Sequence, residues 1–568
     1  MCNGQYFLKF QLIYIYMNTD LLPALILSFL CFIYLYAFFK HYGGFKLPWY
    51  ASWSMIVTVY VSLLLSIALL PYDVSLFLFK SDSVRSQRLY ELLSILYWST
   101  WVLGWIVMPT IVSIYTFHFA LTMKSRIWYA IKYNIMWYVW AIVFVLIGVV
   151  IMSSSKKFKV SDLIPLTIAL SNAYGILLFC LLLGHGLVAF PRKMWNTADP
   201  AIQLRMRLRD LEEEVNSYAD SLKNARIVER VCNRVINTAA NAQNSIRETY
   251  REIFKENINP RLEKVQQILS HNLIKSEILN RDSTTESPYL ELESIKWDQI
   301  YEHEIEEFLQ KVDSVFDALN QSHCFMVYTA EKAEEALNSM KTLADGNCFT
   351  STKVKLQRLM AIIFGVLSAL CLWGEIALIF KPSYSLFHWL SHLRIGSFSN
   401  QLLVTGPVIV FLFYVGSWSL TRVRLWSYFR FIPGATNENT FYFWVVFISR
   451  LAPSVGYHYL LQIEGQNTMT ISLMGVMKEV AFFGNNWNIY APVIMLAFGL
   501  FVVLDLWNRI LGCFGVKSFT FENYENGNYH YEIGKTVLFD MNPSLEQKWR
   551  ALEERKNVEK ELVGSFNI

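Results

Sequence analysis

Nine apolar segments, each long enough to cross a bilayer, are spread along the 568 residues, and about 165 residues of charged, helix-forming sequence separate the first five from the last four. A membrane-crossing helix needs about 20 mostly apolar residues. The segments lie at about 21–39, 52–70, 96–121, 131–152, 163–189, 357–380, 402–421, 441–461 and 489–511. A soluble enzyme does not contain nine such stretches, and a simple channel does not usually spend a quarter of its length on an insertion between its halves. The sequence therefore predicts an all-α polytopic membrane helix bundle of nine spans, five plus four, with a large cytosolic helical or coiled-coil insertion. The expected division is an N-terminal membrane half at 1–189, the insertion at 190–356, a C-terminal membrane half at 357–511 and a tail at 512–568.

Orientation follows from the distribution of Lys and Arg, which favour cytosolic loops. With the N-terminus outside, the inner segments carry Lys40, Lys46, Lys124, Arg126, Arg192, Lys193, Arg422, Arg424, Arg430, Arg509 and Lys517, against Lys80, Arg85, Arg88, Lys156, Lys157, Lys159, Lys381, Arg394 and Lys478 in the outer loops, a weak bias that Lys156, Lys157 and Lys159 run against. An odd number of spans then places the insertion and the C-terminus in the cytosol. Trp and Tyr gather near the ends of apolar runs, as at Trp49, Tyr50 and Trp53, which suits interfacial belts. The net charge of +4 is spread out and forms no basic stripe of the kind that binds nucleic acid. The eight cysteines include no Cys-x-x-Cys pair, so no disulfide framework is expected.

Within the insertion, Leu204, Leu208, Leu211, Val215, Tyr218, Leu222 and Ala225 step alternately by four and three, the spacing of a helix-packing seam. Phe308, Val312, Val315 and Leu319 repeat it after Ile305. The 26 acidic and 20 basic residues of 200–356 surround these seams, which describes solvated helices packing on one another. Packing within the chain is favoured over a seam kept for a partner. The stretch Thr468–Gly484 is short for a span and reads as an interfacial or re-entrant helix.

Ionisable residues inside spans are costly and are candidate functional residues by default. Arg450 lies near the middle of the eighth span, Glu375 in the outer third of the sixth, Asp505 in the inner part of the ninth, and His118 and His185 near the inner ends of the third and fifth. Arg450 and Glu375 differ in depth by roughly 13 Å, too much for a direct bond without tilt. Asp505 is closer to Arg450 in depth, and could instead bond Arg509 one turn away. A structural ion pair ranks first, a ligand or ion site second and snorkelling third. The two histidines read as buried, hydrogen-bonded residues. Pro71 ends the second span, and Asp73 is placed to cap the segment after it. No hydrolase, phosphate-loop, dinucleotide or metal-ligating motif is present, so neither catalysis, nor a metal, nor a cofactor is expected.

Several short motifs recur in a definite order. They are Leu70-Pro71-x-Asp73-Val74-Ser75, Tyr97-Trp98-Ser99-Thr100 with Pro109, and Leu181-Leu182-Leu183-Gly184-His185-Gly186-Leu187-Val188 together with Pro191-Arg192 and Trp195-Asn196. Trp373-x-Glu375, Arg450-Leu451-x-Pro453 and Ser472-Leu473-Met474-Gly475-x-Met477-Lys478 complete the series. With the five-plus-four layout, these motifs resemble the limb-region-1-like membrane protein family over about residues 20–515. The resemblance implies no catalysis. It implies action as a receptor-associated regulator of signalling, of the G-protein-coupled type, or of membrane trafficking, with a membrane receptor or trafficking protein met through the cytosolic helices. The alternative is a transporter, or a ligand-uptake receptor or escort for a small molecule. The plasma membrane is the expected site, with endosomal or lysosomal membranes as the other candidates.

Overall fold

The computed structural model describes residues 3–43, 49–79, 83–117, 122–153, 163–240, 302–393, 395–424, 429–434, 436–474, 484–504 and 532–565, with isolated positions at 259, 262–263, 266, 289, 506 and 520–521. In chain order the helices are α1 (Asn3–Gly43), α2 (Trp49–Leu63), α3 (Leu70–Leu78), α4 (Ser83–Val102), α5 (Met108–Thr116), α6 (Met123–Ser153), α7 (Leu163–Ala198) and α8 (Pro200–Ala240). They continue with α9 (Glu302–Ala344), α10 (Cys348–Phe380), α11 (Leu386–His392), α12 (Ser397–Asn400), α13 (Gly406–Leu420), α14 (Glu438–Gln462), α15 (Met469–Met474), α16 (Gly484–Val503), α17 (Glu532–Met541) and α18 (Ser544–Ser565). The strand content among the described residues is one antiparallel pairing of Val423–Arg424 with Thr520–Phe521. The chain divides into two compact units. One gathers residues 1–116, 127–192 and 361–522, and the other 117–126, 193–360 and 523–568.

The first unit is an integral membrane bundle. Six described helical stretches are long and apolar enough to cross a bilayer: Leu22–Gly43, Ser52–Leu78, Val84–Thr116, Ser171–Ala198, Cys348–Phe380 and Ser397–Leu420. On α1, Leu25, Phe29, Ile33 and Tyr36 are exposed while Ala24, Leu27, Cys31 and Leu35 are buried. An exposed helix face made of such residues is stable only against lipid. Apolar length alone predicts nine spans. The other three fall on α6, α14 and α16: α14 is not apolar enough by the same measure, and the described part of α16 contributes a shorter apolar stretch, Ala491–Val503. The structure thus supports a helical membrane protein with six spans of clear apolar character.

For α14 the reason is its position. It is rich in hydroxyl and aromatic side chains, and almost every residue from Thr440 to Gln462 is buried. Its neighbours are other helices, so lipid does not select its composition. Phe38 stacks on Trp444 at 4.3 Å and Phe39 on Phe441 at 5.1 Å, fixing α1 against it. Pro453 stands inside α14 and supplies no N–H to the Ser449 carbonyl one turn back. The Ser62 hydroxyl of α2 lies 3.4 Å from that carbonyl and 3.2 Å from the Thr58 carbonyl of its own helix, and α14 stays helical through the proline. Three π-helical turns, Leu64–Ala68, Leu103–Val107 and Gln401–Thr405, widen helices of this unit. The first two pack against α14.

The second unit is built on α8 and α9, which pack along one another. Leu204, Leu208, Leu211, Val215, Tyr218, Leu222 and Ala225 are buried with Phe308, Val312, Val315 and Leu319 in one core. The seam is therefore occupied by this chain. Burial also raises the Tyr218 phenol above its usual range. The C-terminal helices join the same core through Val537, Leu538, Leu545 and Leu552. Gly534 opens this contact: a Cβ there would lie 2.0 Å from the Leu208 carbonyl oxygen, so only glycine lets α17 approach α8. By sequence pattern residues 512–568 form a separate tail; the buried leucines and the Gly534 contact instead attach its described helices to the insertion.

Candidate intramembrane polar site

Four polar residues, Arg450, Ser454, His458 and Gln462, succeed one another at intervals of four along α14. That spacing lays them in one slowly turning stripe, and all four are buried, at 6%, 2%, 0% and 2% exposure. Small residues let neighbouring helices come close to the stripe. A Cβ on Gly175 of α7 would fall 2.3 Å from Ser454 Oγ, and one on Gly374 of α10 would fall 2.5 Å from Gln462 Oε1.

At one end of the stripe the guanidinium of Arg450 donates from Nη1 to Ser171 Oγ and from Nη2 to the Trp101 carbonyl, both at 3.2 Å. The Trp105 ring covers it at 4.8 Å, a cation–π contact, and the indole N–H of Trp105 donates to the same Ser171 oxygen at 3.3 Å. Tyr97 donates to Asn172 Oδ1 at 3.1 Å, and Asn172 Nδ2 donates to the Met474 carbonyl at 3.3 Å. Among the described residues, no carboxylate lies within ion-pair distance of Arg450.

At the other end, Glu375 accepts from Gln462 Nε2 at 2.7 Å and pairs with His458 Nδ1 at 3.3 Å. The Phe179 ring stacks on His458 at 4.4 Å. Arg450 and His458 are eight residues apart on α14, or about 12 Å along its axis. The structure keeps Arg450 and Glu375 apart by about the depth their positions in sequence imply, and gives each its own hydrogen-bond partners.

The remaining candidates occupy packing positions. His185 hydrogen-bonds Ser419 Oγ through Nδ1 at 2.8 Å and lies parallel to the Trp418 ring. Cβ atoms on Gly184 and Gly186 would come within 2.7 Å of the Met495 carbonyl and 2.6 Å of Val415 Cγ1. Pro71 is buried in the first turn of α3. Asp73, 1% exposed, does cap a helix, but a distant one: it accepts the backbone N–H groups of Met469 and Thr470, at the start of α15, at 2.9 and 2.8 Å. Pro191, Arg192, Trp195 and Asn196 close α7, where Arg358 lies over the Trp195 ring at 5.6 Å. Pro453 is the buried proline of α14. His118, Asp505, Gly475 and Lys478 lie outside the described residues, as does most of the expected re-entrant stretch beyond α15.

Sequence reasoning does not single out His458, Gln462, Ser171, Trp101 or Trp105 as site residues. The four-residue spacing from Arg450 is a legible signal for His458 and Gln462. Nothing local marks Ser171 or the Trp101 carbonyl, which come from helices almost 300 positions away or more. No cluster of three His, Cys, Asp or Glu suited to a metal occurs among the described residues. The arrangement positions and holds charge.

A model of the family described as LMBR1-like membrane protein matches residues 20–507. LMBR1 domain-containing protein 2 homolog A of Dictyostelium discoideum is 23% identical over 77% of this chain and 61% of that protein. A Caenorhabditis briggsae protein named G-protein coupled receptor-associated protein LMBRD2 is 23% identical over 73% of this chain and 67% of its own length. A Gallus gallus protein of the same name is 20% identical over 75% of this chain and 65% of its own length. The chain thus spans about three fifths to two thirds of the length of these relatives. No solved structure matches it.

Proposed function

Because the chain belongs to the LMBR1-like membrane protein family, we propose that it is a non-catalytic membrane protein that associates with a receptor of the G-protein-coupled class and regulates its signalling. The observation that carries this reading is the name of two relatives, each a G-protein coupled receptor-associated protein aligned along about three quarters of this chain. The helical second unit supports it. Its seam is filled from within the chain, so its outer faces, with residues such as Lys332, Glu335, Glu546 and Arg550, are available to a partner.

The Lys and Arg bias favours the cytosolic side for this unit, where the G-protein face of a receptor lies. The plasma membrane is the matching location. The test is receptor signalling in cells lacking the chain. The reading expects a changed response to agonist, restored by the full chain; an identical response with and without it contradicts the reading.

A further inference from the structure

Arg450 is a buried cation held by neutral groups. A guanidinium stays ionised in proteins, and two of its five N–H donors are taken here, by a serine hydroxyl and a backbone carbonyl. An uncompensated charge in a low-dielectric interior costs several kcal/mol. Glu375, the buried carboxylate of the same stripe, is about 12 Å away by helix rise and satisfied by Gln462 and His458. A structural ion pair would have put a carboxylate against the guanidinium, and none of the described carboxylates is there.

The wall beside Arg450 faces lipid. Ile95, Trp98, Val102 and Ile106 form an exposed apolar stripe along α4 and the π turn at its end. Trp101 lies between that stripe and the guanidinium: its ring meets Trp98 at 6.2 Å, and its carbonyl accepts from Arg450. Gly104, in the same π turn, lets the backbone of this wall come close to the guanidinium, since a Cβ there would sit 3.1 Å from Nη2 and 3.0 Å from Ser449 Oγ. The indole N–H of Trp101 is buried and has no hydrogen-bond partner among the described residues. A fixed cation and a spare donor, with aromatic rings between them and the bilayer, suit a ligand with an anionic head and an apolar body.

We propose that Arg450 anchors an intramembrane site for the oxyanion headgroup, carboxylate or phosphate monoester, of an amphiphile that enters from the lipid side of α4. The inference stands apart from receptor association and holds whether or not that reading survives. The planar guanidinium can meet either headgroup through two parallel N–H donors, and Trp101 and Trp105 flank the apolar body.

The test uses the purified full chain in neutral detergent at mildly alkaline pH, with thermal unfolding followed as oleate, oleyl alcohol or dioleoylphosphatidate is added. A saturable rise in melting temperature of several degrees is expected with an anionic amphiphile and none with oleyl alcohol. A rise with oleate alone assigns the site to free carboxylates, and one with phosphatidate alone to lipid phosphates. Arg450→Gln is expected to abolish the rise while melting, without ligand, no lower than the wild type, because it removes an unpaired buried charge. Arg450→Lys keeps the charge but loses the fork, and is expected to bind about tenfold more weakly. Equal shifts from oleate and oleyl alcohol, or no shift with either anion, overturn the proposal. So does an Arg450→Gln chain that keeps the shift, or one that folds but melts several degrees lower without ligand, the signature of a broken ion pair. If Arg450→Gln does not fold, an Arg450→Lys chain that binds the anion as tightly as the wild type overturns it instead.

Discussion

The Asp73 carboxylate accepts the Thr470 backbone N–H at 2.8 Å across 397 positions of sequence. With the Met469 N–H at 2.9 Å on its other oxygen, it satisfies the first orphan donors of a six-residue helix, whose next N–H, of Ile471, lies 3.5 Å from Thr468 Oγ1. The Pro-x-Asp motif after the second span is thus a link between the two halves of the membrane unit.

Asp73→Ala is expected to strip both donors of their acceptor and to lower stability by about 2–4 kcal/mol. Asp73→Asn retains one acceptor oxygen and is expected to lose roughly half as much. Thermal unfolding of the purified chain measures both; equal losses from the two variants would deny the capping role.

Glu375 is the shared acceptor of Gln462 and His458. Glu375→Ala leaves two buried donors without an acceptor and is expected to cost about 2–4 kcal/mol, whereas Glu375→Gln costs about 1 kcal/mol. In a double-mutant cycle with Gln462→Ala, the coupling should fall at about 1–3 kcal/mol. Additive losses would mean that the 2.7 Å contact contributes nothing.

The glycines of the Leu-Leu-Leu-Gly-His-Gly run hold helices at backbone contact. Gly184→Ala and Gly186→Ala are each expected to cost about 1–3 kcal/mol by forcing α7 away from α16 and α13. Gly365→Ala, whose added Cβ would meet only Pro191 Cβ at 3.8 Å, serves as the control and should be neutral. The measurement is the yield of monodisperse protein on heating, and equal behaviour of all three variants would remove the close-approach argument.

In the second unit, Gly534→Ala is expected to free α17 from α8, since the added methyl falls on the Leu208 carbonyl. Limited proteolysis should then cut between 532 and 554 at least tenfold faster than in the wild type, a factor equal to about 1.4 kcal/mol of lost docking. Unchanged protection would show that the C-terminal helices do not depend on this contact.

How legible this molecule is from sequence depends on the range of the interaction. The seam from Leu204 to Ala225 and the apolar spans follow from periodicity and length, because each reports one helix against one environment. Arg450, Glu375 and Asp73 stand out because charge within a span is rare. Their partners are hidden. Ser171, the Trp101 carbonyl and the N–H groups of Met469 and Thr470 are ordinary groups made specific by packing. The composition of α14 also misleads, because a helix enclosed by other helices is relieved of the hydropathy that lipid demands. The attachment of residues 532–554 to the insertion rests on a few buried aliphatic residues and one glycine contact, which carry no long periodic signal.

Receptor association is assigned to the helical second unit under the proposed function. Its most direct measurement is affinity capture of the tagged full chain, and of a chain lacking residues 200–350, from gently solubilised membranes of cells expressing both at equal surface levels. The account predicts that a G-protein-coupled receptor is recovered with the full chain and reduced at least tenfold with the shortened one. Equal recovery of the receptor by both chains, or by neither, would contradict it.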